Sequence, residues 1–183
     1  MNVKTSETDP IRVDWLNTPW PGRVGLTFAP GKKVDSLFGW RWERDLRQDL
    51  ARFRDTYAAT HLVSLIEDHE MDHLGIPDLV LEAEAAGLLM RRLPIRDVTV
   101  PLDDQAVREL VSGIVNWASG GANVVIHCRG GLGRAGTIGG CVLVASGLTG
   151  EVALQQLRDV RGPNCPETDE QRRYVMRFQV DAS

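Results

Sequence analysis

Residues 124–140, VVIHCRGGLGRAGTIGG, constrain the fold of this chain more than any other stretch. The stretch opens with an apolar run rich in β-branched residues, which is typical of a buried strand. Three glycines follow within a few positions, and small or apolar residues continue after them. The sequence therefore predicts a strand, a tight loop and a helix in immediate succession, with Cys128 at the carboxyl end of the strand.

The rest of the chain alternates between strand-like and helix-like patterns, which predicts an α/β fold. We expect a single domain, residues 23–183, with a central, mostly parallel sheet flanked by helices, and an irregular N-terminal extension, residues 1–22, packed on the core. In such sheets ligands bind beyond the carboxyl ends of the strands, where Cys128 lies. The predicted strands are 24–28, 61–66, 88–95 and 123–127. The predicted helices are 42–60, 76–87, 103–119, 134–146, 150–161 and 168–180.

The composition excludes several classes of protein. Of the 183 residues, 43% are hydrophobic and 25% are charged, the balance of a globular domain, and the net charge of −4 argues against a nucleic-acid partner. No apolar run is long enough for a membrane span, and the first residues lack the apolar core of a signal peptide. The three widely spaced cysteines argue against a disulfide framework. We therefore expect a cytoplasmic protein without a membrane partner, and a monomer.

The loop after Cys128 has the chemistry of an anion site. Gly130, Gly131 and Gly133 allow the backbone to curl so that successive N–H groups point inward, and Arg134 adds a planar pair of donors. The same positive field favours the thiolate form of Cys128. We interpret Cys128 as a nucleophile aimed at phosphorus, in preference to a buried strand cysteine beside an ordinary glycine turn. The predicted phosphate-binding residues are Arg129, Gly130, Gly131, Leu132, Gly133 and Arg134.

The segment HCRGGLGRAGT resembles the signature loop of cysteine-dependent protein tyrosine and dual-specificity phosphatases. Three further segments resemble the cyclin-dependent-kinase-associated phosphatase family and its bacterial relatives: GIPDL at 75–79, LPIRD at 93–97 and RDVRGPNCPETDEQRRYV at 158–175. The resemblance spans residues 22–180. It implies a phosphatase that uses no metal or organic cofactor and hydrolyses phosphate monoesters on proteins through a phosphocysteine, with a kinase as a possible partner.

The resemblance also implies roles for individual residues. Cys128 would be the nucleophile and Arg134 would bind the phosphoryl group. Asp97, which precedes Cys128 by 31 positions, would be the general acid. Asp103 and Asp104 compete for that role, but they begin a predicted helix, where carboxylates cap and favour the helix dipole.

Four residues near the loop are weaker candidates. His127 would order the loop. Ala135 departs from the serine or threonine that the family places after the arginine, so breakdown of the phosphocysteine is expected to be slow unless Thr137 compensates. Gln171 stands where related enzymes position the attacking water. It also completes a capping-box pattern with Thr168, and we favour the capping role.

The segment IEDHEMDH, residues 66–73, places His69 and His73 four positions apart among carboxylates, but it lacks the full ligand pattern of a zinc protease. We expect a polar surface loop at the rim of the site, with no metal. Cys141 is expected in the core. Either it or Cys165 offers a partner for oxidation of Cys128, with nothing in the sequence that favours this.

The loop also bears on the substrate and on rival functions. Phosphoinositide phosphatases of the superfamily it resembles tend to carry lysines within this loop. This loop carries one arginine and no lysine, so the resemblance favours a phosphoprotein over a phosphoinositide. Two alternatives stay open: a phosphoprotein-binding module of low turnover, and a module that docks to a kinase. A rhodanese-like sulfurtransferase also uses a loop cysteine, but the spacing of Asp97 and Arg134 fits phosphatase chemistry better.

Overall fold

The structure, a computed structural model, describes residues 2–36 and 39–180. Strands and helices alternate along most of the chain, as the sequence predicts. The strands are β1 (Asn2–Lys4), β2 (Asp14–Trp15), β3 (Val24–Thr27), β4 (Trp40–Trp42), β5 (Ala59–Ser64), β6 (Leu89–Arg92) and β7 (Asn123–His127). The helices are α1 (Leu46–Asp55), α2 (Asp68–His73), α3 (Leu79–Ala85), α4 (Asp104–Ser119), α5 (Gly133–Ala145), α6 (Gly150–Arg161) and α7 (Asp169–Arg177).

A five-stranded sheet in the order β2-β3-β7-β5-β6 forms the centre of the molecule. All neighbours pair in parallel except β2, which runs antiparallel to β3 at one edge. Strand β7 lies in the middle, and its last residue, His127, is paired with Thr27 on one side and Ser64 on the other. The predicted α/β fold with a mostly parallel sheet is confirmed, and the carboxyl ends of the parallel strands meet where β7 ends.

Helix α5 is the most buried helix of the fold, and it begins directly after the loop that follows β7. It packs against α4, α6 and α7. Its two central glycines explain how it fits: a Cβ at Gly139 would press on Leu26, and one at Gly140 would overlap Val175. The glycines therefore allow close approach of the helix to the sheet and to α7.

Four elements were not predicted. Strands β1 and β2 lie in the segment expected to be irregular, and β1 pairs in parallel with β4 to form a separate two-stranded sheet. Strands of two or three residues are too short to show a period, which explains why the sequence pattern did not indicate them. The fourth is α2, considered with the site below. The predicted domain limits at residues 1 and 183 lie outside the described residues. Within residues 2–36 and 39–180, no helix is long and apolar enough to cross a membrane.

Candidate active site

The loop between β7 and α5 wraps around the sulfur of Cys128. Cys128 follows the last residue of β7, and its side chain is buried. Gly131 has a φ of 77°, a conformation that only glycine adopts readily, and its N–H donates to the Cys128 Sγ at 3.2 Å. The expected inward-pointing backbone is thus seen at this position, where a backbone donor stabilises negative charge on the sulfur.

Arg134, in the first turn of α5, is buried and held by two charge-assisted hydrogen bonds. Its Nη1 and Nη2 donate to the two carboxylate oxygens of Glu70 at 2.6 and 2.8 Å, and Nη1 also donates to the carbonyl of Ile95 at 2.9 Å. Burial lowers the pKa of Arg134, but Glu70 and the negative charges of Cys128 and Asp97 more than offset this, so the net shift is upward. Within the described residues, the buried Nε of Arg134 has no hydrogen-bond partner. It is therefore available to an anion.

Asp97 lies on the other side of this guanidinium. Its Oδ1 is 2.8 Å from Arg134 Nη2, and its Oδ2 is 4.0 Å from an amino group of Arg129. The next residue, Val98, has a φ of 62° and donates its N–H to the Asp97 carboxylate at 3.1 Å. A β-branched residue with a positive φ is strained, so Asp97 is held at the end of a strained turn. The structure thus brings together Cys128, Arg134 and Asp97.

Sequence analysis missed Glu70, and its expectation for residues 66–73 was wrong. This segment is not a polar surface loop: most of it forms helix α2, in which Glu70 is buried against Arg134. Burial raises the pKa of Glu70, but the hydrogen bonds from Arg134 and the backbone of Glu67 lower it, and the net shift is downward. One signal was present in the sequence. Residues that follow the carboxyl end of a strand next to β7 lie at the same edge of the sheet as Cys128.

The two histidines of α2, His69 and His73, are exposed. Among the described residues, no group of three or more histidine, cysteine, aspartate or glutamate side chains could hold a metal ion.

Arg161, at the end of α6, bonds to the outer face of the loop, which is the side that carries its backbone carbonyls and faces away from the Cys128 sulfur. Its Nε donates to the carbonyl of Gly131 at 3.0 Å and its Nη2 to the carbonyl of Gly130 at 3.4 Å, while Nη1 is paired with Asp14. Because a peptide places its C=O and the following N–H on opposite sides, carbonyls held outward leave the N–H groups turned inward. Nothing in the local sequence pattern around Arg161 indicated this role.

His127 and Thr137 both bond to backbone carbonyls near the loop. The Nδ1 of His127 lies 3.2 Å from the carbonyl of Cys128, a contact that requires the proton on Nδ1, and burial lowers the pKa of His127 to about 4. Thr137 Oγ1 donates to the carbonyl of Gly133 at 2.8 Å, so its proton is committed within the helix. Ala135 is fully buried beside them. Position 135 therefore offers no hydroxyl to the Cys128 sulfur, and the hydroxyl proton of Thr137 is donated to the carbonyl of Gly133 instead.

Gln171 is buried, and the favoured capping role is confirmed. Its side chain accepts from the N–H of Thr168 at 3.1 Å, and its own N–H donates to the Thr168 hydroxyl at 3.1 Å. The side-chain amide of Gln171 also packs against Gly133, and its Nε2 donates to the carbonyl of Thr99 at 3.1 Å. Gln171 therefore caps α7 and lies against the loop at once.

Glu167 is a second carboxylate at the loop that sequence reasoning missed. A Cβ added at Gly133 would collide with its Oε2, which places this oxygen beside the loop. Partial burial of the carboxyl group, and then the charge of Asp97, raise the pKa of Glu167, while Arg134 and the N–H of Gly133 oppose that shift. Three carboxylates, those of Glu70, Asp97 and Glu167, thus lie near the predicted phosphate-binding residues.

The remaining candidates have structural roles. Asp103 is the N-cap of α4 and accepts from the N–H of Ala106 at 3.0 Å. Asp104 accepts from the hydroxyl of Tyr174 at 2.7 Å. Cys141 lies in the core, as expected. Cys165 is also buried and donates to the carbonyl of Leu132 at 3.4 Å, and burial is the main cause that raises its pKa to about 12. A thiol with so high a pKa is a poor nucleophile at neutral pH.

Comparisons with known proteins show which proteins this chain resembles in sequence and fold. The human protein named cyclin-dependent kinase inhibitor 3 is 25% identical over 181 residues, covering 94% of this chain and 81% of the relative. A solved structure of kinase associated phosphatase (KAP), with its catalytic-site cysteine replaced by serine, superimposes with a TM-score of 0.83 at 23% identity, covering 92% of this chain and 93% of the other. The active form of Tk-PTP has 30% identity and a TM-score of 0.67, covering 84% of this chain and 89% of the other.

The family assignment rests on a longer pattern than the loop alone. Residues 43–148, more than half of the chain, match the family model Tc-R-P, described as "Polymorphic toxin system, DSP-PTPase phosphatase". The resemblance to dual-specificity and tyrosine phosphatases, and to the kinase-associated group within them, is confirmed by these matches. The chain therefore belongs to the DSP-PTPase phosphatase family.

Proposed function

We propose that this chain hydrolyses phosphate monoesters on proteins through a phosphocysteine formed on Cys128. One observation carries the proposal: Arg134 is held by Glu70 on one side and contacts Asp97 on the other, at the loop whose N–H donates to the Cys128 sulfur. In this proposal Cys128 is the nucleophile, Arg134 the phosphate-binding cation and Asp97 the proton donor. This is the set of groups that phosphoryl transfer by a cysteine requires.

In the first step, the Cys128 thiolate attacks phosphorus and the bond from phosphorus to the substrate oxygen breaks. Asp97 gives its proton to that leaving oxygen. The inward N–H groups of the loop and Arg134 stabilise the charge on the phosphoryl oxygens. The ion pair between Asp97 and Arg134 must open for this to happen, because the incoming phosphate takes over the guanidinium. Substrate binding thereby frees Asp97 to take up a proton and act.

In the second step, water attacks the phosphocysteine. Asp97 removes a proton from the water, the bond from phosphorus to sulfur breaks, and the products are inorganic phosphate and the thiolate. In the family, a hydroxyl at position 135 stabilises the departing sulfur. Ala135 has none, and the hydroxyl of Thr137 donates to Gly133. We therefore propose that breakdown of the phosphocysteine limits turnover.

The substrate is a phosphorylated protein in this proposal. The loop offers Arg129, which is half-exposed, but no lysine, so a substrate with several phosphates finds little extra charge within it. The names of the relatives, cyclin-dependent kinase inhibitor 3 and kinase associated phosphatase, favour a phosphorylated kinase. We further propose that the protein acts as a monomer in the cytoplasm, without metal or organic cofactor.

The second candidate function is a phosphoprotein-binding module of low turnover. It is favoured by Ala135 and by the engaged hydroxyl of Thr137, since a site that forms the phosphocysteine but cannot resolve it would hold its substrate. Cys128, Arg134 and Asp97 lie together in one site, which supports catalysis over binding alone.

Hydrolysis of p-nitrophenyl phosphate in the presence of EDTA tests the proposal, with Cys128→Ser and Asp97→Ala as variants. We expect turnover by the wild type, none by Cys128→Ser, and a sharp loss in Asp97→Ala. A phosphotyrosine peptide and a phosphothreonine peptide, assayed in parallel, then test the substrate class. Absence of wild-type turnover, with inorganic phosphate still bound, would support the binding module instead.

A further inference from the structure

Lys32 is a buried cation on the outer face of the loop, and nothing in the steps above uses it. Its side chain is 7% exposed, and its Nζ lies 4.3 Å from the ring centroid of Phe28 and 4.6 Å from that of Trp42. Its hydrogen bond is to the carbonyl of Arg129, at 3.4 Å, and the N–H of Ala29 donates to the same oxygen at 3.3 Å. Two donors from one segment therefore hold this carbonyl.

The position of that carbonyl determines the direction of the next N–H group. Because the peptide after Arg129 is planar and trans, a carbonyl held outward turns the N–H of Gly130 toward the Cys128 side of the loop. Arg161 does the same to the peptides after Gly130 and Gly131. Lys32 and Arg161 thus hold the carbonyls of three consecutive residues, 129–131. As a consequence, the N–H groups of the residues that follow each carbonyl point toward the inside of the loop.

Lys32 also carries a charge that acts on the nucleophile. Burial is the main cause that lowers its pKa to about 8, and the charges of Arg44, Arg129 and Arg161 act in the same direction. Against them, the negative charge of Cys128 favours the ammonium form. An ammonium group at Lys32 therefore adds positive charge to the surroundings of the Cys128 sulfur. The backbone just before Lys32 is also anchored, because the N–H of Gly31 donates to the carboxylate of Asp49 at 2.9 Å.

We propose that Lys32 is a positioning residue for the phosphoryl-transfer reaction: its ammonium group holds the Arg129 carbonyl outward and supplies positive charge behind the Cys128 thiolate. This inference rests on the proposed function, because the reaction it refers to is the proposed phosphoryl transfer. Lys32 is expected to have two effects: it strengthens binding of an anion in the loop, and it raises the reactivity of the Cys128 sulfur. Both can be measured without turnover.

The test compares the wild type with Lys32→Met, Lys32→Arg and Lys33→Met. Lys33 is the matched control, because it is the adjacent lysine and is exposed. Calorimetric titration with inorganic phosphate measures the loop as an anion site. The alkylation rate of Cys128 by iodoacetamide, read by mass spectrometry of its peptide, measures the reactivity of the sulfur. Both are done at about pH 6.5, where Lys32 is charged.

We expect Lys32→Met to bind phosphate about tenfold more weakly and to be alkylated about tenfold more slowly, the effect of losing one charge-assisted hydrogen bond. Lys32→Arg, which keeps the charge, should recover most of both, and Lys33→Met should match the wild type. Equal values in Lys32→Met and the wild type would overturn the proposal. So would an equal loss in Lys32→Arg, because packing rather than charge would then be responsible. If Lys32→Met does not fold by near-UV circular dichroism, Lys32→Gln takes its place with the same expectation.

Turnover separates this proposal from the proposed function. A wild type that does not hydrolyse p-nitrophenyl phosphate, while Lys32→Met still weakens phosphate binding, would refute the phosphatase and leave the positioning role standing. A wild type that hydrolyses p-nitrophenyl phosphate, with phosphate binding and alkylation unchanged in Lys32→Met, would support the phosphatase and refute the positioning role of Lys32.

Discussion

Arg134 and Glu70 form a buried, two-point ion pair whose N–O distances are 2.6 and 2.8 Å, with side-chain exposures of 1% and 7%. The two residues are 64 positions apart in the sequence, so the pair exists only once β5, α2 and α5 have assembled. The pair occupies both terminal nitrogens of the guanidinium, so it orients the whole group. Among the described residues, the buried Nε has no hydrogen-bond partner.

Glu70→Ala is expected to destabilise the protein by about 3–5 kcal/mol, because it leaves a buried guanidinium charge without its partner. Phosphate binding should weaken too, since Arg134 loses its orientation. Urea unfolding followed by fluorescence measures the first effect and phosphate titration the second. Asp72→Asn, on the exposed side of the same helix, is the control and should match the wild type. A Glu70→Ala protein of wild-type stability would show that the pair contributes little.

Asp97→Asn should bind inorganic phosphate more tightly than the wild type and yet turn over more slowly. The amide removes the negative charge that competes with phosphate for Arg134, and it also removes the proton donor. The loss in kcat is expected to be about 10²–10⁴-fold with a phosphothreonine peptide and smaller with p-nitrophenyl phosphate, whose leaving group needs less protonation. Asp103→Asn is the control, since asparagine caps a helix as well as aspartate does. Weaker phosphate binding in Asp97→Asn would contradict the competition between Asp97 and phosphate.

The wild type is expected to show a burst of p-nitrophenol, followed by slower steady turnover. Ala135 offers no hydroxyl to the departing sulfur, so hydrolysis of the phosphocysteine should be slower than its formation. Ala135→Ser should shrink the burst relative to the steady rate. Rapid-quench or stopped-flow measurement distinguishes the two phases. A wild type that turns over rapidly without a burst would refute slow hydrolysis of the phosphocysteine.

The free energy of unfolding should fall as the pH is lowered below about 6.5, because burial lowers the pKa of two histidines, His127 and His61. Burial holds the pKa of His127 near 4 in the folded protein, against 6.5 when the side chain is exposed. The unfolded chain therefore binds one more proton at His127 in this window, and the stability from neutral His127, complete above about pH 6.5, is lost by about 1.4 kcal/mol per pH unit as the pH falls.

Urea unfolding at several values between about pH 5 and 6.5 measures that slope, above the range in which most carboxylates titrate. His127→Asn should flatten the slope by about one proton, whatever its own stability. His73→Asn, which replaces an exposed histidine of α2, should keep the wild-type slope. An unchanged slope in His127→Asn would mean that another group accounts for the pH dependence.

Much of the fold could be read from the sequence because its signals are local. Strand β7 and helix α6 lie where the patterns place them, since each has a clear period and a clear stop. Helix α2 was missed because five of its six residues are polar and it shows no apolar face. Glu70 in this helix is buried against Arg134, a contact that the pattern of residues 66–73 does not contain.

The candidate site divides in the same way. The positions of Cys128 and Arg134 follow from a few adjacent residues, because the spacing of glycines in one loop sets the path of its backbone. The placement of Asp97 came from family resemblance. No local pattern indicated Glu70, Glu167, Lys32 or Arg161, because each reaches the loop from another element.

By itself, the sequence determined the strand, the glycine loop and the buried helix, and with them the chemistry at Cys128. Only the tertiary structure decided which charges surround that loop. It placed Glu70 and Asp97 on either side of Arg134, and Lys32 and Arg161 on the outer face. The physical reason is that local conformation follows from short-range periodicity and backbone freedom. Burial of a charge instead depends on which distant side chain the packed elements bring to it.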